Sequence, residues 1–116
     1  MRRHMPIKQK DKNCLQNILD SINKISNYTQ LFQNADELYN DNKSFDAVLM
    51  NFVIIGEMVA KLSDEFKENN SKVDWSNIKG FRNIIAYQYF GIDAEEVWGI
   101  ILNELPILKR ELEEVI

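Results

Sequence analysis

The sequence predicts an all-α protein, four main helices and one short helix in an up-down bundle. Three observations carry this reading. Apolar residues recur at intervals of three and four along most of the chain, strand-like alternation is absent, and only four glycines and two prolines punctuate 116 residues. A chain of this length forms one domain and buries a sizeable core without disulfides or metal.

The first helix is expected over about residues 8–32, with Leu15, Ile18, Leu19, Ile22, Ile25, Leu31 and Phe32 on its apolar stripe. Asn34 to Tyr39 reads as a short helical turn or loop. Ser44 is a plausible N-cap for a third element. That element runs through Phe45, Val48, Leu49, Phe52, Ile55, Val59, Leu62 and Phe66 to the polar run KENNSK, about 26 residues. Asp74 can cap the next helix, with Trp75, Ile78, Phe81 and Ile85 on its buried side. Gly91 stands where a left-handed C-cap is expected. Asp93 with Glu96 forms a capping box for the last helix, whose stripe is Val97, Ile100, Ile101, Leu105, Leu108, Leu112 and Val115. Pro106 lies inside that stripe and should bend it, because it lacks an N–H and crowds the preceding turn. Phe and Trp at helical spacing read as core, not as a cofactor box.

Hydrophobic content of 45% and charged content of 28% are ordinary for a soluble globular protein. No apolar run approaches the ~20 residues that span a bilayer, and nothing resembles a signal peptide. Cys14 is the single cysteine, which excludes an internal disulfide and any cysteine-based zinc site. With His4 as the single histidine, zinc is excluded on ligand grounds, and no phosphate-binding glycine loop is present. A cytoplasmic, reduced compartment and no cofactor are therefore expected. Residues 1–12 hold five basic side chains against Asp11, which leaves 9 basic and 17 acidic groups, a formal −8, on residues 13–116. Such a body is poorly suited to non-specific phosphate binding, so an RNA ligand must be gripped locally and DNA is not expected. Residues 1–7 are expected to be a disordered leader or tag remnant, and residues 8–116 the single domain. The acidic residues Asp64, Glu65, Glu68, Glu113 and Glu114 read as solvated helix faces.

Two places carry more information. Glu57 follows Gly56 within the apolar stretch FVIIGEMVAKL. A glycine inside a helix costs about 1 kcal/mol relative to alanine, and close helix packing is the expected compensation. Glu57 either faces water at the edge of the stripe or pairs with a partly buried Arg82. The second place is FRNIIAYQYFGID, residues 81–93, where Arg82, Asn83, Tyr87 and Tyr89 crowd a helix end before Gly91. On spacing alone this is an arginine with two phenols near a helix terminus, equally compatible with a packed cluster or a dimer contact.

RNIIAYQYFGID also resembles the RNxxxHxYFGxD signature of the HEPN superfamily in its HepT-like branch, the toxin halves of HepT–MNT toxin–antitoxin pairs. IGEMVAKLS (residues 55–63) is similar to that branch's IGEAAKKLS helix, DWSNIKGFRN to its WxxIxGxRN segment, and ELPILK to its final LPxLK. Including the first helix, the resemblance covers about residues 8–116. It implies a helical homodimer that cleaves RNA without metal at a cleft between subunits. It further implies that Arg82 stabilises the transition state through its rigid donor fork, with Asn83 as its polar neighbour. Tyr89 would correspond to the tyrosine on which the MNT antitoxin, a minimal nucleotidyltransferase, places AMP. The departure is Tyr87, where the family carries histidine. Histidine titrates near ~6.5 and tyrosine near ~10, so a phenol is a poor general base at neutral pH. The resemblance therefore implies a ribonuclease with impaired catalysis. Its alternative is a non-catalytic docking subunit for a minimal nucleotidyltransferase.

Overall fold

The computed structural model describes residues 6–84 and 94–116, and every element within them is helical. The elements are α1 (Gln9–Thr29), α2 (Ala35–Asn40), α3 (Asn42–Lys61), α4 (Asp64–Asn69), α5 (Trp75–Lys79) with a tight 3-10 turn (Gly80–Asn83), α6 (Ala94–Asn103) and α7 (Leu105–Val115). The all-α class is as expected. Two of the long helices are each divided in two. Ile85, Tyr87, Tyr89, the Gly91 cap and the Asp93 half of the capping box lie outside the described residues.

The core forms where α1 packs along α3. Leu15, Ile18 and Ile25 from α1 meet Val48, Phe52, Ile55 and Val59 from α3, all fully buried. Both sets follow helical spacing, so each helix lays one apolar stripe against the other. The helices run antiparallel, because Asp11 at the start of α1 bonds to Ser63 just past the end of α3, and Asn17 Nδ2 lies 3.6 Å from Met58 Sδ. Cys14 sits in the same seam, where burial and then the neighbouring Asp11 carboxylate push its thiol pKa up.

Four boundaries differ from the sequence reading, each for a visible reason. The first helix stops at Thr29 rather than near 32. Thr29 Oγ1 donates to the Ile25 carbonyl (2.8 Å), and Leu31, placed on the stripe by spacing, is 85% exposed. Ser44 is not the cap of the third element; Asp41 is, and its carboxylate accepts from the Ser44 N–H at 3.1 Å. The expected 26-residue helix ends at Lys61, because Ser63 caps a separate helix, α4, through the Phe66 N–H. Asp11, only 2% exposed, fixes that break by accepting from both the N–H (2.8 Å) and the hydroxyl (2.6 Å) of Ser63. Charge-assisted bonds of this kind are about twice as strong as neutral ones, which explains a helix end without glycine or proline. At the other end, the last helix is interrupted at Glu104 alone, which keeps right-handed helical backbone and i→i−4 bonds on both sides, while Pro106 sits in the first turn of α7, where no N–H is needed.

Other expectations hold. The short element expected at residues 34–39 is α2 (Ala35–Asn40), capped by Asn34, which accepts from the Glu37 N–H, and its Leu38 is fully buried. Asp74 caps α5 through the Asn77 N–H at 3.2 Å. No helix among the described residues is long and apolar enough to cross a membrane.

Candidate active site

The segment from Asp74 to Ile84 presents Arg82 and Asn83. Trp75, Ile78, Phe81 and Ile84 recur every three residues, and all four are buried. Residues three apart share a face on the α-helix α5 and eclipse in the 3-10 turn, so this spacing keeps the apolar side chains on one buried side. Phe81 meets Phe52 edge-to-face with ring centroids 5.3 Å apart. Trp75 packs on Phe66 at 5.9 Å, and its indole N–H donates to the Asn70 carbonyl at 3.1 Å. Asn77 Nδ2 donates to Glu104 Oε1 at 2.7 Å, which ties α5 to the junction between α6 and α7.

With that side buried, Arg82 and Asn83 are left exposed at the end of a firmly anchored turn. Lys79 is also exposed, one 3-10 repeat before Arg82, and adds a second cation to the same turn of an otherwise acidic body. The sequence reading did not single out Lys79, because a lysine three residues from an arginine is an ordinary helix-surface neighbour. Such a turn can offer a planar donor fork, an amide and an ammonium to a phosphate from a backbone that need not reorganise.

Glu57 is placed differently from the pairing that the sequence allowed. It is exposed, Arg82 is exposed, and no ion pair joins them among the described residues. The pairing assumed a partly buried arginine, and a solvated guanidinium has no such need of a carboxylate. Of the two readings of Glu57, the water-facing one fits its exposure. Tyr87 and Tyr89 lie outside the described residues.

The ribonuclease HepT-like family matches residues 18–115, a span that includes α3, the Arg82 turn and all of α7. The chain belongs to this family. Among relatives of this HepT-like chain, a protein of Methanocaldococcus jannaschii named "Putative RNase" is 34% identical over 104 residues, covering 90% of this chain and 94% of the relative. A "Probable ribonuclease HepT" of Thermococcus cleftensis is 28% identical over 109 residues, covering 94% and 98% respectively. Another protein named "Putative RNase", from Caldanaerobacter subterraneus, is 39% identical over 70 residues, which is 60% of this chain and 62% of that relative's own length. No solved structure matches.

Proposed function

We propose that this HepT-like chain is the toxin half of a toxin–antitoxin pair, with a metal-independent endoribonuclease site centred on Arg82 and weakened at Tyr87. The observation that carries the proposal is the exposure of Arg82 and Asn83 on a turn anchored by Trp75, Ile78 and Phe81, in a chain of a ribonuclease family. In the proposed reaction a 2′-oxygen of RNA attacks the adjacent phosphorus and the bond to the 5′-oxygen breaks. The products are a 2′,3′-cyclic phosphate and a free 5′-hydroxyl. One proton leaves the 2′-hydroxyl and one reaches the departing oxygen. Arg82 stabilises the charge that gathers on the phosphoryl oxygens, and Asn83 orients substrate. The Tyr87 phenol removes a proton poorly near neutral pH. RNA cleavage in chelator by the Tyr87→His chain, and its loss when Arg82→Ala is added, tests this reading.

The catalytic cleft is completed by a second copy of the chain, since one Arg82 turn supplies few groups for gripping RNA. Light scattering at micromolar concentration should give twice the 13.6 kDa chain mass. A strictly monomeric mass would count against the shared cleft.

The partner is an MNT-type nucleotidyltransferase, and Tyr89 is its acceptor. The Tyr89 phenol oxygen attacks the α-phosphorus of ATP, a phosphodiester to AMP forms, pyrophosphate leaves, and the phenol proton passes to solvent. The adduct adds negative charge seven positions from Arg82 in sequence and opposes an RNA phosphate. With such a partner, ATP and Mg²⁺, peptide mass spectrometry should find the added AMP on Tyr89 and not on Tyr87; an adduct confined to any other residue would overturn the assignment.

A second reading, a non-catalytic subunit that docks the nucleotidyltransferase, is favoured by one observation, the tyrosine at position 87. A Tyr87→His chain without any cleavage would make it the better account.

A further inference from the structure

We infer that Gly56 is a positioning residue for Arg82. Having no side chain, it lets α3 close directly on the backbone of the 3-10 turn, and so fixes where the arginine side chain begins. The inference rests on the proposed role of Arg82. A Cβ placed on Gly56 would stand 2.9 Å from Arg82 Cβ and 2.9 Å from the Lys79 carbonyl oxygen, and closer still to the Arg82 amide nitrogen. Carbon atoms in comfortable contact stand about 3.5–4.0 Å apart. Two of the three atoms in the way are backbone, so no rotamer change relieves the overlap. The turn has little room to retreat, because Phe81 beside Arg82 is held edge-on against Phe52 and Ile84 is buried.

Gly56 is helical and 20-residue α3 continues through it, so close approach accounts for this glycine and backbone conformation does not. The contrast with two other glycines is informative. A Cβ at Gly80 or Gly99 meets nothing within 4 Å. Gly80 is two residues from Arg82 in sequence, and yet among the described glycines it is a Cβ at Gly56, 26 positions away, that would meet the arginine's first side-chain carbon.

A methyl group at position 56 should displace the guanidinium without removing it. Misplacement of a catalytic group by about 1 Å costs on the order of 10²-fold in rate. The test uses Gly56→Ala, with Gly99→Ala as the control, each made in the full chain with and without Tyr87→His. In the Tyr87→His chain, Gly56→Ala should lower kcat by roughly 10²-fold and change KM much less, since Arg82 acts on the transition state. The control should stay within about twofold. In the chain with Tyr87 retained, the backbone amide resonances of Lys79 and Arg82 should move in Gly56→Ala by more than in the control. Unmoved amides would overturn the inference, and so would moved amides with kcat unchanged. Failure of the ribonuclease reading looks different, because the Tyr87→His chain is then inactive before position 56 is touched, and the amide shifts alone decide whether Gly56 places Arg82. Should Gly56→Ala not fold, nuclear Overhauser cross-peaks in the unsubstituted chain decide. Contacts from the Gly56 α-protons to the Arg82 amide and β-protons are expected, and their absence overturns the inference.

Discussion

Changing Tyr87 to histidine is expected to raise metal-independent RNA cleavage by roughly 10²- to 10⁴-fold, the usual worth of a well-placed general acid–base group. An imidazole exchanges protons near neutral pH and can take the 2′-hydroxyl proton as the new phosphorus–oxygen bond forms. The phenol of tyrosine keeps its proton until about pH 10. Tyr87→Phe should therefore leave the residual rate nearly where it stands, because it removes a hydroxyl that was never a base at pH 7. Adding Arg82→Ala to the Tyr87→His chain should cancel the gain, since the proton would move but the charge on the phosphoryl oxygens would lose its donor. Rates measured in chelator under single-turnover conditions separate these variants. Equal rates for Tyr87→His and the unsubstituted chain would mean that the site is lost at more than one position.

The largest effect on stability is expected from Phe52→Ala. Phe52 is fully buried where α1, α3 and the Arg82 turn meet, and among the described residues it is the largest of the completely buried side chains. Its truncation removes apolar burial, leaves a cavity and deletes the edge-to-face partner of Phe81. Changes of this kind cost about 3–5 kcal/mol, against a total stability of roughly 5–15 kcal/mol for a typical domain. Urea unfolding should show the midpoint falling with little change in slope. A loss below about 1 kcal/mol would mean that the core closes over the gap, contrary to the close packing at Phe52. The same substitution should loosen the Arg82 turn, because Phe81 is one of the buried residues that hold it.

The architecture was readable wherever local periodicity decides it. The stripes on α1 and α3, the Asp74 cap and the disturbance of the last helix at Pro106 all rest on interactions within a few residues, and such interactions leave a pattern in sequence. The helix end after Lys61 was not readable. Its cause is a pair of hydrogen bonds between Ser63 and Asp11, 52 positions apart, and Ser63 on its own reads as one more residue of a continuing helix. Leu31 misled for a related reason, since spacing says which face a residue shares but not where the neighbouring helix stops covering it. At the candidate site, Arg82 and Asn83 were found through a family motif, because an exposed arginine carries no chemical signature of its own. The carboxylate pairing of Arg82 with Glu57 assumed burial that the turn does not impose. Gly56 was legible as a close-packing position, but its partner was not, because contact with the Arg82 backbone depends on how α3 meets a turn 26 residues later.

The central claim is that the Arg82 turn catalyses attack by the RNA 2′-oxygen. The most direct measurement is the chemistry of the RNA ends that the Tyr87→His chain produces in chelator. The account predicts fragments ending in 2′,3′-cyclic phosphate with matching 5′-hydroxyls, formed when Arg82 is present and not with Arg82→Ala. Intact RNA, fragments with 5′-phosphates, or cyclic phosphates formed equally well without Arg82 would contradict it.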